Sequence, residues 1–240
     1  MPEDKISLLI PTYNEAENIE SILKRSIRVL GDVGAKYEIL VVDDASTDNT
    51  SAIAQGIIEG KGKVIRRVSE KRSLSLSVID GIKNSGGSII IVMDADGSHP
   101  PEIIPCFIEN VQSGYDLVIA SRYCKGGATR DFPLKRKIAS RFACLLGRAV
   151  TDIKDNTSGF FCIKRDCLDI GQLNPSGFKI GLEIFVKAKY KAYKEIPFVF
   201  LDREKGKSKL KAKTICQFIY HLCQLLNYKL FNVNYHSCPN

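Results

Sequence analysis

The 240-residue chain is predicted to be an α/β protein whose mainly parallel central sheet is flanked by helices. Three observations predict this. Short Ile/Val/Leu runs recur along the chain, the habit of parallel strands buried on both faces. Stretches with apolar residues at helical spacing lie between them. The early runs end abruptly in polar clusters, and open α/β sheets bind ligands just beyond the carboxyl ends of their strands.

The first run, Ile6-Ser7-Leu8-Leu9-Ile10, breaks at Pro11-Thr12-Tyr13-Asn14-Glu15. A helical pattern follows through Ile19, Ile22, Leu23, Ile27 and Leu30. The second run, Tyr37-Glu38-Ile39-Leu40-Val41-Val42, meets Asp43-Asp44 and then Ala45-Ser46-Thr47-Asp48-Asn49-Thr50. Ser46 and Asp48 are good N-cap residues, so a helix is expected to start near them, with capping as the main role of Asp48. A third strand is expected near 63–68, a fourth near 88–94 and a fifth near 116–121, with helices between. From residue 123 the alternation loosens. A loop rich in Gly and charge leads to a helix near 134–149, a strand over 157–164, a helix near 180–191 and a strand over 196–201. The last helix, 214–231, places Ile215, Phe218, Ile219, Leu222, Leu226 and Leu230 at helical spacing among polar residues.

The fourth run is the most informative. Ile89-Ile90-Ile91-Val92-Met93 stops at Asp94-Ala95-Asp96. Two carboxylates at a strand's end suit a hard divalent cation, and Mg²⁺ or Mn²⁺ is typically shared with substrate phosphates. The bland alternative is a pair of solvated acids, since Asp-x-Asp arises often by chance. Asp43 and Asp44 add weight, because adjacent unpaired carboxylates repel and a ligand would relieve them.

Composition narrows the partners. The formal charge is +8, and much of it is concentrated. Residues 122, 125, 130, 135, 136, 137, 141 and 148 are Lys or Arg with Asp131 as the one acid among 121–150, and a second basic run covers 203–213. A solvated basic face is the ordinary use of such runs. An anionic membrane surface or phosphate is the functional alternative. Nucleic acid is not expected, because no nucleic-acid module accompanies the charge and there is no Trp. No run reaches the ~18 apolar residues of a spanning helix. The charged start predicts no signal peptide. Eight scattered cysteines with no Cys-x-x-Cys pair predict reduced thiols and a cytosolic setting.

These motifs, in this order, resemble the family-2 inverting glycosyltransferases. Pro11-Thr12-Tyr13-Asn14-Glu15-x-Glu17-Asn18-Ile19 matches the opening motif of that family. Val42-Asp43-Asp44-x-Ser46-x-Asp48-x-Thr50 matches its second motif, and Asp94-Ala95-Asp96 its metal motif. Within the family the chain is most similar to the polyprenyl-phosphate (dolichyl-phosphate) mannose synthases. That rests on Ser98-His99-Pro100-Pro101, Ser121-Arg122-Tyr123, Gly126-Gly127, Leu134-Lys135-Arg136-Lys137, Ser140-Arg141, Thr157-Ser158-Gly159-Phe160 and Arg203-x-x-Gly206-x-Ser208-Lys209-Leu210. The likeness runs from about Ile6 to Leu210. Two departures stand out: Ser73 where Gly is usual, and Phe161 where Arg is frequent.

The resemblance implies a nucleotide-sugar-binding, Rossmann-like glycosyltransferase A-type fold. A catalytic domain would cover 1–213 and an amphipathic helix with its tail 214–240. The implied donor is a nucleotide sugar, with GDP-mannose first. Pro11, Tyr13, Glu15, Asp43, Asp44, Asp94, Asp96, Arg203 and Lys209 would form its site. Asp94 and Asp96 would hold the metal with Ser98 as a third ligand, and Asp96 and Arg203 would be catalytic. Arg122, Arg136 and Ser140 match the positions for an acceptor phosphate. Family members that glycosylate a hydroxyl commonly use an Asp at the start of a late helix as base. Here the region reads Gly181-Leu182-Glu183-Ile184, with no Asp. A phosphate monoester is already anionic near pH 7 and needs no base, so the expected acceptor is a polyprenyl phosphate. The protein would then work at the cytoplasmic face of a membrane as a peripheral enzyme. The alternatives are another donor such as UDP-glucose, a hydroxyl acceptor, or a non-catalytic nucleotide-sugar-binding subunit.

Overall fold

The computed structural model describes residues 5–68, 72–130, 133–174, 179–201 and 212–232. The strands are β1 (Ile6–Thr12), β2 (Tyr37–Asp43), β3 (Gly62–Arg66), β4 (Ile89–Val92), β5 (Leu117–Ser121), β6 (Ala128–Arg130), β7 (Phe161–Lys164), β8 (Tyr193–Pro197) and β9 (Val199–Leu201). Seven of them form one sheet in the order β3-β2-β1-β4-β7-β5-β8, while β6 and β9 pair separately. The β1–β2, β1–β4, β2–β3 and β5–β8 pairings are parallel. β7 alone runs antiparallel to its neighbours β4 and β5. The sheet is therefore mainly parallel, as the apolar runs predict.

Winding reverses at β1. The next strands in sequence, β2 and β3, lie on one side of it, and β4, β7, β5 and β8 on the other. Such a switch point opens a crevice beyond the strands' carboxyl ends. Here the crevice lies past Thr12 and Met93.

Helices cover both faces: α1 (Ile19–Val33), α2 (Thr50–Ile58), α3 (Leu74–Asn84), α4 (Ile104–Gln112), α5 (Leu134–Gly147), α6 (Ile180–Lys187) and α7 (Ala212–Asn232). Side chains alternate across a strand, so the central strands feed two cores. Leu8, Ile39 and Ile91 pack with Leu23 and Leu30 of α1 and Phe107 of α4. Leu9, Leu40 and Ile90 pack with Val78 and Ile82 of α3 and Phe185 of α6. A third cluster docks α7, setting its Phe218, Leu222 and Leu225 against Val150 and Leu182.

Most elements fall within about two residues of their predicted bounds, and three depart further for local reasons. The strand expected over 157–164 begins only at Phe161. Before it, the Ser158 hydroxyl donates to the Ala120 carbonyl and accepts from the Phe160 N–H, replacing ladder bonds. The strand expected over 196–201 is two, because β8 stays beside β5 while β9 crosses to β6. Pro197, which has no N–H to donate, ends the first. The helix expected to 191 stops at Lys187, where Ala188 turns extended and Tyr190 Oη donates back to the Phe185 carbonyl. The second helix starts at Thr50, later than Ser46 and Asp48 suggest.

Candidate active site

The crevice at the switch point is a cavity of about 250 Å³. Pro11, Thr12, Tyr13 and Glu15 line it from the end of β1, Asp94 and Asp96 from the end of β4, and Asp44 from the end of β2. Asp94 keeps 32% of its side chain exposed there. Asp96 is largely buried. Gly97, in the left-handed region at φ 80°, turns the chain sharply after it. The Ser98 N–H then donates back to Asp96 Oδ1 at 3.1 Å, and so does the Ser98 hydroxyl. Ser98, expected as a metal ligand, is buried and commits its hydroxyl proton to Asp96, so here it positions that carboxylate.

His99 secures the same loop. Its Nδ1 accepts from the Asp94 backbone N–H at 3.0 Å, which leaves the ring proton on Nε2, 3.9 Å from Asp94 Oδ2. The ring stacks on Phe160 at 5.0 Å and meets Phe198 and Phe200 edge-on. Burial holds its pKa below the ordinary value despite the pull of Asp94, so the imidazole is neutral. The sequence marked His99 only as part of a motif. Its role depends on aromatic partners more than 60 residues away, which no local pattern reveals.

The second acidic motif is mostly a brace. Asp43 was expected to line the donor pocket, but it has no exposed surface. It accepts from the Thr12 hydroxyl, the Ser46 N–H and hydroxyl, and the Ser51 hydroxyl. Asp44 does line the cavity, yet it too is engaged, by the Arg67 guanidinium and by the Ser73 N–H at 2.7 Å. The premise that two unpaired acids demand a ligand therefore fails, because both carboxylates are satisfied within the protein. Ser46 and Asp48 do not cap α2 in the expected way. The Ser46 hydroxyl accepts from the Asn14 N–H, and Asp48 Oδ2 accepts from the Ala16 N–H while Oδ1 takes the Thr50 N–H. Thr50 Oγ1 accepts from the Glu15 N–H, and Asn14 Oδ1 from the Thr47 N–H. Five such bonds fix the turn that presents Tyr13 and Glu15. Ala45 sits at φ 58°, a strained place for a residue with a Cβ, and this lattice holds it there.

Leu74 and Ser77 of α3 also line the cavity, and the Arg72 guanidinium lies 4.4 Å above the Tyr13 ring. The sequence did not single these out as site residues. The Ser73 side chain caps α3 by accepting from the Leu76 N–H.

A second, larger cavity of about 560 Å³ opens beside α5, lined by Arg122, Tyr123, Arg141, Arg148 and Lys154 among others. Arg122 does not face it as a free cation. Its Nε and Nη2 grip Asp155 at 2.8 and 2.6 Å, and Nη2 also donates to Thr157 Oγ1 at 2.9 Å. Burial works against the guanidinium's charge, but Asp155 outweighs it and holds Arg122 protonated. Ser140 accepts from Tyr123 Oη at 2.8 Å. Arg136 stands half-buried one turn before Ser140 on α5, so both belong to one helix face. The structure thus brings Ser140 to Tyr123 beside Arg122, and keeps this group apart from the β1 cavity. Glu183 lies away from both, fully buried on α6, where His221 Nε2 and Lys187 Nζ donate to it. Arg203 and Lys209 lie outside the described residues.

Asp94 and Asp96 offer oxygen donors with room above them, a fit for a hard divalent ion that completes its shell with phosphate oxygens. Among the described residues no cluster of three or more His, Cys, Asp or Glu side chains is arranged to hold a metal.

Comparison with known proteins identifies the family. The sequence profile described as glycosyl transferase family 2 matches residues 7–169. The chain is 45% identical to the dolichol-phosphate mannosyltransferase of Pyrococcus furiosus over 230 residues, which cover 94% of this chain and 64% of that protein. Against the dolichol-phosphate mannosyltransferase of Saccharomyces cerevisiae the identity is 32%, covering 93% and 87%. A solved structure of glucosyl-3-phosphoglycerate synthase from Mycobacterium tuberculosis, in complex with Mn²⁺, UDP-glucose and phosphoglyceric acid, superimposes with a TM-score of 0.68. It covers 93% of this chain and 80% of that one at 21% identity, a likeness of fold. With its mainly parallel sheet, its site at the β1–β4 switch point and this profile over two-thirds of its length, the chain belongs to glycosyl transferase family 2.

Proposed function

We propose that the protein transfers a mannosyl group from a nucleotide sugar, GDP-mannose, to the phosphate of a polyprenyl lipid such as dolichyl phosphate, inverting the anomeric centre. The names of its relatives support the sugar and the acceptor. One observation carries the choice of a phosphate over a hydroxyl. Glu183, the acid nearest the expected base position, is buried and held by His221, Lys187 and the Asn174 N–H. A carboxylate so engaged is not poised to take a proton from a hydroxyl, whereas a phosphate oxygen attacks as it stands.

Asp94 and Asp96 would hold Mg²⁺ or Mn²⁺, which when bound neutralises the charge that grows on the departing diphosphate. Tyr13 and Glu15 position the nucleoside over the end of β1, with Asp44 and Arg67 fixing the wall behind it. Asp43 sustains that turn from below. Arg203 and Lys209 are the proposed cations for the diphosphate. Arg122, Arg136 and Ser140 receive the acceptor phosphate, since a guanidinium matches phosphate oxygens well.

The lipid's location sets a further requirement. Among the described residues no helix is long and apolar enough to cross a membrane. Yet α5 exposes Leu134, Ile138, Phe142 and Leu145, and α7 exposes Ile215, Ile219, Leu226 and Leu230. Amphipathic helices flanked by Lys and Arg suit a bilayer surface. We place the enzyme peripherally at the cytoplasmic membrane face, with 1–213 as catalytic domain and 214–240, which holds most of α7, as an appended element. A thermal-shift panel of GDP-, UDP- and dTDP-sugars with Mn²⁺, followed by transfer of labelled sugar to a polyprenyl phosphate, tests the proposal. Stabilisation by UDP- rather than GDP-sugars, or donor binding with no transfer, would overturn it.

A further inference from the structure

We infer that the Lys179 ammonium is a further substrate-contacting cation, meeting the acceptor phosphate where it approaches the metal carboxylates. The inference rests on transfer to a lipid phosphate as proposed above, and it adds a residue that no motif match marks. Lys179 directly precedes α6. Its Nζ lies 3.5 Å from the Thr157 carbonyl oxygen, and the hydroxyl of the same threonine holds Arg122 Nη2 at 2.9 Å. Two residues further on, Gly159 passes so near the metal motif that an added Cβ would stand 3.4 Å from Asp94 Oδ2 and 3.5 Å from the His99 ring. From the other side, a Cβ added at Gly181 would fall 2.7 Å from the Ser158 carbonyl oxygen. The 157–159 backbone is thus held between the first turn of α6 and Asp94. A cation resting on it stands between the two halves of the site. Burial, the largest influence, and Arg122 work against the charge of Lys179, while Asp94 and Asp155 favour it.

The chemistry needs a cation at that place. An acceptor phosphate must come up to an anomeric carbon whose leaving group is itself an anion. The two anions repel, and a positive charge between them lowers that cost most where water is scarce. Arg122 meets the phosphate there too, but Asp155 offsets part of its charge. Lys179 supplies a second cation within reach, on a stem long enough to follow the phosphate.

The full chain and its Lys179→Met and Lys179→Arg variants test this. Calorimetry would measure binding of GDP-mannose with Mn²⁺ and, separately, of a short water-soluble isoprenyl phosphate. Steady-state transfer between the two would be followed alongside. Lys179→Met is expected to weaken isoprenyl phosphate binding by about tenfold or more and to raise its KM equally, the loss of one charge-assisted hydrogen bond. Donor Kd should stay within about twofold. Lys179→Arg should recover most of the loss, a rescue that a packing role would not give. If Lys179→Met shows no cooperative melting transition, Lys179→Gln is judged by the same criteria. Unchanged isoprenyl phosphate binding, or a loss confined to the donor, overturns the assignment of Lys179 while the functional reading stands. A native protein that neither binds the isoprenyl phosphate nor transfers to it overturns both.

Discussion

His221 Nε2 lies 2.9 Å from Oε2 of Glu183, a carboxylate with no exposed surface. Lys187 Nζ reaches its other oxygen at 2.7 Å from one turn along α6. The acid of the late helix therefore fastens α7 to the body, and the apolar contacts of Phe218, Leu222 and Leu225 complete the joint.

Breaking that joint should be costly. Glu183→Ala leaves His221 and Lys187 without their buried partner, a loss of about 3–5 kcal/mol, read as a fall in the urea midpoint. Acid should act the same way. Burial raises the Glu183 pKa, but its bonds to His221, Lys187 and the Asn174 N–H outweigh that and hold it below the ordinary 4.5. A carboxylate depressed in the folded state adds stability above its unfolded pKa and loses it as pH falls through the folded one. Below about pH 4.5 the native protein should therefore lose melting temperature more steeply than Glu183→Gln. Parallel curves would show that Glu183 does not carry the acid sensitivity.

Asp94→Ala and Asp96→Ala should both abolish transfer. Asp94 is a third exposed, so its loss should leave the melting temperature nearly unchanged. Loss of the buried Asp96 also strands the Ser98 N–H and hydroxyl and should lower it modestly. Chelation of Mg²⁺ or Mn²⁺ should likewise abolish transfer by the native protein. Full turnover by Asp96→Ala with chelator present would remove the metal assignment.

Arg67 offers a contrasting case. Its guanidinium joins Asp44, at the cavity wall, to Asp80 of α3, and only 6% of its side chain is exposed. Arg67→Ala strands the buried Asp44 carboxylate and should cost about 3–5 kcal/mol. Donor affinity should fall with it, because Asp44 also holds the Ser73 N–H that starts α3. Donor affinity preserved in a destabilised variant would separate this wall from the nucleotide site.

How much of this was legible in the sequence depended on distance along the chain. Asp94 and Asp96 stood out because a strand of Ile and Val stops at them, a signal contained in eight residues. The parallel strands and most helices followed from the same local periodicity. Asp43 and Asp44 misled because their partners, Ser46, Ser51, Arg67 and Ser73, become neighbours only when the turn and the next two elements fold. β7 was expected as a strand, but its antiparallel insertion between β4 and β5 left no mark in its composition. Asp155, which claims Arg122, and Lys179, which rests on Thr157, are single charged residues in loops. Only the three-dimensional packing of the 157–159 segment gives them meaning.

Arg136→Ala should weaken use of the lipid phosphate by about 1.5–3 kcal/mol, the value of a charged hydrogen bond, and spare donor affinity. Donor calorimetry and acceptor KM, measured on the same preparation, check this. A rise in donor Kd with acceptor KM unmoved would mean that the two sides of the site are exchanged.

Membrane attachment is best tested on α5. Deleting α7 is a poor probe, because Phe218, Leu222, Leu225 and His221 are buried against the body and their removal would expose that cluster. Phe142 and Ile138 are 59% and 60% exposed on α5, so substitution there should leave the fold intact. Native protein should float with anionic liposomes at low salt and less so as salt rises, because screening shortens the reach of Lys135, Lys137 and Arg141. Phe142→Asp with Ile138→Asp puts two carboxylates on the face that would meet the lipid. Flotation should then fall sharply, while thermal stabilisation by GDP-mannose and Mn²⁺ is retained. Transfer to a water-soluble isoprenyl phosphate should also persist in the double variant, since neither residue lines either cavity. If flotation survives both substitutions, the exposed apolar face of α7 becomes the surface to alter next, and α5 owes its exposed apolar residues to something other than the bilayer.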